Sequence, residues 1–425
     1  MPALDPALID AYVYTFPFYE MARTRYLSVQ ANVPGGQTRI NILGHRKALS
    51  DHTARAVTTP NNDTLYSSAW LDLSTGPLEL TIPRIAKRYW SVHFMDASTS
   101  TAALVGSRNA GEGDMKLWIA STDDTTVAPA GVREVRLPSR DAWMLIRIVV
   151  DSPEDISNVQ ALQAGLSRRV LNGPSQPSSP ILPKPALGSP VDGANYLAVV
   201  NDMLQRNPKA GAFKPLPSAW QPFGFGLQAT AEQGAALTAA LPDLNMAVRA
   251  GGGLSSGARD VQGWSYPNPA VGTFGTDYGL RAGVALAGLG ALPPEEAIYL
   301  STTTDKSSQA LDGQQRYRLR VPSSGIPTHA FWSLSMYQIE PDGRMFFTDN
   351  PIKRYTVGDR TPGLVKGADG SLDITLQRDE PTDPQQKANW LPTPAGKFRL
   401  MLRAYLPSVA LAAGQVNLPT IEKLK

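Results

Sequence analysis

Tyr89-Trp-Ser-Val-His-Phe-Met-Asp96 is the stretch that sets the fold class. Trp90, Val92 and Phe94 alternate with Tyr89, Ser91, His93 and Met95, the period of two that sends successive side chains to opposite faces of a strand. The stretch follows a proline turn at Ile82-Pro83. A second stretch, Phe331-Trp-Ser-Leu-Ser-Met-Tyr-Gln338, follows Ile326-Pro327 and opens with the same aromatic-Trp-Ser-aliphatic order. Trp90 aligns with Trp332, Ser91 with Ser333 and His93 with Ser335. Two β modules of one architecture would produce such a pair, and so would chance, because the match is short.

Strand patterns surround both stretches. Leu78, Leu80 and Ile82 alternate after the turn Ser74-Thr-Gly-Pro77, and Trp143 to Val150 is apolar except for Arg147. Tyr317, Leu319 and Val321 alternate with Arg316, Arg318 and Arg320. Leu372-Ile374-Leu376 and Phe398-Leu400-Leu402 follow, the first after a tight Asp369-Gly370 turn. Helical spacing appears elsewhere. Asp5 and Pro6 start a helix that Pro17 ends or kinks. Ser152-Pro153 starts another, with Ile156, Val159, Leu162 and Leu166 on one face. Tyr196, Leu197, Val200 and Leu204 share a face before Asn207-Pro208, and residues 229–248 and 278–290 continue the pattern. Residues 172–193 are rich in Pro, Ser and Gly and read as a linker or long surface loop. The expected organisation is therefore mainly β with helical insertions. Residues 1–172 would hold N-terminal helices and a first sandwich, 173–294 a linker and helical connector, and 295–425 a second sandwich.

Composition narrows the function. Among 425 residues, 42 % are hydrophobic and 18 % charged, a globular balance too long for one ordinary domain. Forty basic against 37 acidic residues leave a net charge of +3 without a block of one sign, so no nucleic-acid or anionic-membrane partner is expected. The absence of cysteine excludes disulfides, thiol nucleophiles and thiolate metal sites. No apolar run approaches a membrane span, and Asp5 and Asp10 break any leader pattern. The expected location is cytoplasmic, or periplasmic if a leader has been removed.

Several motifs together resemble a known family pair. Pro60-Asn-Asn-Asp-Thr-Leu-Tyr-Ser67, Trp70-Leu-Asp-Leu73, Tyr89 to Asp96 and Val105-Gly-Ser-Arg108 resemble the bacterial domain-of-unknown-function family numbered 1254. Leu311-Asp-Gly313, Phe331-Trp-Ser-Leu334, Asp369-Gly-Ser-Leu372, Asn389-Trp-Leu-Pro392 and Arg403-Ala-Tyr-Leu-Pro407 resemble the family numbered 1214. The resemblance implies two jelly-roll-like antiparallel β-sandwiches joined by helices, often assembled as oligomers, so a homo-oligomer is expected. It implies no reaction.

The candidate chemistry gathers in the first module. Asn61-Asn62-Asp63-Thr64 precedes a strand bearing Tyr66. Asp63 could act as a base, or join Asn carbonyls around calcium or magnesium, or simply cap a turn. His93 lies on the face opposite Trp90, towards a second layer or pocket, and is the natural proton carrier near neutral pH. Arg147, inside an apolar strand, needs a carboxylate or a ligand anion, and a structural ion pair is the plainer expectation. Arg108 and Arg403 invite the same argument. Trp332, Tyr337 and Trp390 could stack on a sugar or fill the core. Gly253-Leu-Ser-Ser-Gly257 matches a nucleophile elbow in letters but follows a helix pattern and not a strand. His45 and His52, seven apart, could share a helix face, with no third ligand for a metal.

These residues support an enzyme acting on a small organic molecule by acid–base hydrolysis or elimination, with no cofactor predicted. Asp63, Tyr66 and His93 would be catalytic, and Asn62, Thr64, Arg108, Arg147, Trp332 and Tyr337 would bind substrate. The competing expectation is a non-catalytic protein that holds a carbohydrate or amphipathic ligand on its aromatic residues.

Overall fold

The computed structural model describes residues 4–29, 40–55, 58–170, 185, 189–211, 215–250, 257–341 and 343–424. The stretch 172–193 and the loop 251–257 fall largely outside these residues. Four sheets form two sandwiches. Sheet I runs in the order Gly44–His45, Thr64–Asp72, Asp141–Val149, Trp90–Asp96, Thr101–Gly106. Sheet II runs Arg133–Leu137, Gly113–Ser121, Leu78–Arg84, Ser167–Val170. They bury Leu65, Leu80, Trp90, Val92, Phe94, Leu117 and Ile146 between them.

Sheet III runs Arg259–Val261, Trp264–Tyr266, Ala297–Thr302, Phe398–Pro407, Thr328–Ile339, Met345–Phe346, and Thr356–Gly358 also pairs with Thr328–Ile339. Sheet IV runs Trp390–Pro392, Leu372–Gln377, Tyr317–Val321, Ile421–Lys423. Their shared core contains Leu300, Leu319, Trp332, Leu334, Ile374 and Leu402. The second sandwich thus draws in residues 259–266, ahead of the boundary at 295 that the β pattern suggests.

The modules have one topology. In chain order, Thr64–Asp72, Trp90–Asp96, Thr101–Gly106 and Asp141–Val149 occupy the sheet positions that Ala297–Thr302, Thr328–Ile339, Thr356–Gly358 and Phe398–Pro407 occupy in the second module. Sheets II and IV correspond in the same way. Each even carries one parallel pair, Gly113–Ser121 with Arg133–Leu137 and Leu372–Gln377 with Trp390–Pro392. The short repeat around Trp90 and Trp332 therefore marks a real duplication, and both tryptophans lie in the equivalent core.

Helices cover the outside of the first sandwich. Pro6–Val29 packs with Gly193–Arg206, Ala231–Ala250 and Tyr278–Ala287, and with Trp70 and Met95 of sheet I. The Asp5 carboxylate accepts from the Ala7 N–H at 2.8 Å, as expected of a cap. Pro17, however, neither ends the first helix nor divides it. The ring costs a backbone bond, but Tyr12, Tyr14, Phe16, Phe18 and Tyr19 are all buried, and this packing outweighs the local loss. Ser152 makes no side-chain cap bond, and its turn is a short 3-10 helix, Pro153–Asp155, before Ile156–Gly165. The arginine row on Tyr317–Val321 is a solvated face: Arg318 and Arg320 pair with Glu422, Asp373 and Asp369.

Candidate active site between the sandwiches

Alternation places the second faces of sheets I and III against each other. Trp90, Val92 and Ile146 point into the first core, so Ser91, His93 and Arg147 point out of it, towards the second module. Phe331, Ser333, Ser335, Tyr299, Arg403 and Tyr405 point back. Apolar contacts between the two faces join Tyr89, Val149, Leu292, Ala297, Phe331 and Tyr405. Phe331 stacks on Tyr405 with centroids 4.2 Å apart, and Tyr89 lies against both.

Within this layer the duplication reaches side-chain level. Across sheet I the register sets Tyr66 beside Arg147, Arg147 beside Ser91 and Ser91 beside Gly106. Across sheet III it sets Tyr299 beside Arg403, Arg403 beside Ser333 and Ser333 beside Gly358. Each module thus contributes one row, Tyr-Arg-Ser-Gly, to a common interior. The glycines are there because the neighbouring strand is close. A Cβ on Gly106 would stand 2.4 Å from the Trp90 carbonyl oxygen, and one on Gly358 2.3 Å from that of Trp332.

The two guanidiniums are treated differently. Arg403, 2 % exposed, donates to Ser335 Oγ at 2.7 Å, Tyr337 Oη at 2.6 Å and the Thr59 carbonyl at 3.1 Å. Tyr337 in turn donates to the Pro60 carbonyl at 2.6 Å. Asp63 lies close enough to favour the Arg403 charge, and its carboxylate accepts from Ser333 Oγ at 2.7 Å. Burial opposes that charge, but Tyr337 and Asp63 outweigh it and hold the Arg403 pKa above its ordinary value. The Asn61-Asn62-Asp63 segment forms a turn that bonds its own backbone. The Asp63 N–H donates to Asn61 Oδ1, and Asn61 Nδ2 reaches Tyr405 Oη at 2.7 Å. Thr59, which leads into it, is held at φ 50°, a strained conformation for a β-branched residue.

Arg147, 3 % exposed, donates from Nη2 to the Gly290 carbonyl at 2.6 Å, and Nη1 has no hydrogen-bond partner. The expected ion pair with an aspartate is not formed: among the described residues no carboxylate lies within bonding reach. Tyr66, Tyr299, Tyr89 and Tyr405 surround the charge instead, with the guanidinium 5.4 Å from the Tyr66 ring centre. Burial pushes the Tyr89, Tyr299 and Tyr405 hydroxyls up, so they stay neutral and offer dipoles, not counter-charges.

His93 is fully buried beside Arg147. Burial, then the Arg147 charge, hold its imidazole well below the usual histidine range, so it is neutral. Nε2 shares a 2.9 Å hydrogen bond with Thr101 Oγ1, and Nδ1 has no partner. Thr64 Oγ1, on the same face, is also unpartnered. Tyr66, Ser68 and Tyr299 on these faces keep partial exposure, while His93 and Arg147 are buried. At the margins of the facing sheets a cleft of about 350 Å³ is lined in part by Asn62, Asp63 and Ser333, and a groove of about 1020 Å³ in part by Tyr89 and Arg108.

The remaining candidates take other places. Arg108 pairs with Glu296 at 2.9 Å, and Glu296 accepts from Tyr89 Oη at 2.8 Å, a link between modules. Asn62 Nδ2 donates to the Ser50 carbonyl. Trp332, Tyr337 and Trp390 are 4 %, 0 % and 1 % exposed, so they form no open stacking platform. His45 sits in a strand and His52 in a turn, not on one helix. Among the described residues no group of three histidines or carboxylates is placed to hold a metal, and no helix is long and apolar enough to cross a membrane. Tyr89, Tyr299, Tyr405 and Glu296 were not singled out by the sequence. The run Leu400-Met-Leu-Arg403, set against Met144-Leu-Ile-Arg147, is the signal that would have found the second row.

Comparison with known proteins agrees with the modular reading. No curated protein matches the chain. The VPA0106 protein from Vibrio parahaemolyticus, a crystal structure, is similar over 99 % of both chains at 25 % identity with a TM-score of 0.75. A putative uncharacterized protein from Burkholderia cenocepacia shares the fold at 13 % identity and a TM-score of 0.50, over 98 % of this chain and 88 % of the other. Residues 40–169 match the family described as protein of unknown function (DUF1254), and residues 296–409 the family described as protein of unknown function (DUF1214). The chain therefore belongs to the proteins that join a DUF1254 module to a DUF1214 module, in that order.

Proposed function

We propose that the protein is an enzyme that acts on a small organic molecule, by acid–base hydrolysis or elimination, in the layer between its sandwiches. The supporting observation is His93: a buried, neutral imidazole with one ring nitrogen held by Thr101 and the other free. With Nε2–H donating to Thr101, Nδ1 keeps a free lone pair, which can take a proton from water or from a substrate carbon once a bound substrate anion offsets the Arg147 charge that otherwise opposes protonation. Tyr66, half-buried beside Arg147, is the hydrogen-bond donor for charge that develops on substrate oxygen. Asp63 is the weaker candidate for the base, because Ser333 already donates to it and Arg403 lies beside it. Its role in this reading is to hold the second row in place.

The test is a turnover screen with neutral and carboxylate-bearing nitrophenyl esters for hydrolysis and β-hydroxy acids for elimination. His93→Ala should lose at least about a hundredfold in turnover, while substrate uptake and melting temperature stay close to wild type. A His93→Ala protein that keeps its turnover would remove the catalytic assignment.

A further inference from the structure

The two rows form an internal control. Around Arg403 the fold shows what satisfies a buried guanidinium at this position: hydroxyls from Ser335 and Tyr337, carbonyls from the turn, and a carboxylate, Asp63, within its field. The residues at the places of Ser335 and Tyr337 in the first module are His93 and Met95, two and four residues beyond Ser91 on the matching strand. Neither bonds Arg147. No carboxylate stands where Asp63 stands for Arg403. Hence one arginine of the pair is bonded by protein at both terminal nitrogens, and the other keeps a partnerless Nη1 beside the partly exposed Tyr66 and Tyr299.

Charge counting sets the ligand's valence. Other cations at the facing sheets have a carboxylate near them: Arg403 has Asp63, Arg108 has Glu296, and Arg360 has Asp151 with Asp359 beyond it. His93 is neutral. Arg147, unlike these arginines, has none, and a buried charge in such a place is unfavourable unless it is paired. A dianion would overcompensate it.

We propose that the space around Arg147 binds the carboxylate of a small monoanionic organic acid, which plays for Arg147 the part that Asp63 plays for Arg403. The planar guanidinium fork suits a carboxylate, and the hydroxyls of Tyr66 and Tyr299 flank the bound oxygens as donors. This rests on the layer being the site, and it names the substrate class for the reaction proposed there. Binding does not depend on that reaction.

The experiment is calorimetric titration of the full-length protein with acetate and benzoate, with methyl benzoate as the uncharged control and sulfate as the dianion. A monocarboxylate should bind and raise the melting temperature, methyl benzoate should not, and sulfate should be weaker. Arg147→Met should weaken carboxylate binding about ten- to a hundredfold. Without ligand it should melt no lower than wild type, because it removes an unpaired buried charge. Failure of both carboxylates to bind wild type overturns the proposal. So does unchanged affinity in Arg147→Met, sulfate binding as tight as benzoate, or an unliganded Arg147→Met protein that melts well below wild type or does not fold. His93→Ala should still bind benzoate, so a loss of turnover in that variant alone bears on the reaction and not on this site.

Discussion

His93 and Arg147 are buried near each other, and burial together with the Arg147 charge keeps the imidazole neutral. A cation beside a buried imidazole leaves it unprotonated when an exposed histidine would take up a proton. This has a measurable consequence for stability. In the unfolded chain His93 titrates near ~6.5, and in the folded protein it titrates well below that. As pH falls through ~6.5 the unfolded state gains a proton that the folded state refuses, so His93 makes wild type lose stability on the acid side of neutrality. Urea unfolding at pH 7.5 and pH 5.5 should show a smaller loss in His93→Gln than in wild type. Equal losses would mean that the imidazole is protonated in the fold.

Two elements show how the strands and helices hold the layer. The edge strands Thr101–Gly106 and Thr356–Gly358 must approach their neighbours closely, and Gly106 and Gly358 permit it. Gly106→Ala and Gly358→Ala should each destabilise the protein by about 1–3 kcal/mol through overpacking against backbone, measured by urea unfolding, and a neutral result at either would mean that the edge strand can step aside. Behind sheet I, Asp141 clamps the helices. It accepts from Arg25 at 2.6 Å, from Arg206 at 2.8 and 2.9 Å and from Asn207 at 3.0 Å. Burial works against the carboxylate, but the two guanidiniums outweigh it and bring it down to about 2. Its contribution is full above the unfolded value near ~3.9 and is lost as pH falls through about 2. Asp141→Asn should cost about 3–5 kcal/mol at pH 7, because it leaves Arg25 buried and uncompensated, and should cost far less near pH 2. None of this clamp was legible in the sequence, since Arg25, Asp141 and Arg206 come from segments that only the fold brings together. Strand alternation, by contrast, was legible. It put His93 on the face opposite Trp90, and the apolar run around Arg147 marked that arginine as needing a partner. The kind of partner was not legible, because the tyrosines around it belong to both modules.

Over the whole molecule, duplication explains why there is a site at all. Two sandwiches of one topology present matching rows to each other, and a strictly matched pair would leave both arginines short of partners. The Asn61-Asn62-Asp63 turn breaks the match. It belongs to the first module but serves the second, giving Arg403 its carbonyls and its carboxylate. One row becomes a structural joint and the other stays available for a ligand. The rows should therefore respond to the same substitution with opposite signs. Arg403→Met removes the bonds to Ser335, Tyr337 and the turn and leaves Asp63 buried with Ser333 alone, so it should cost about 3–5 kcal/mol. Arg147→Met loses one bond to a carbonyl and relieves an unpaired charge, so it should cost nothing or stabilise. In the double variant Arg403→Met/Asp63→Asn, part of the Arg403 loss should return, because the stranded carboxylate is gone. Equal losses for the two arginines, with no recovery in the double variant, would make both rows simple supports and leave the layer without a vacancy for a ligand.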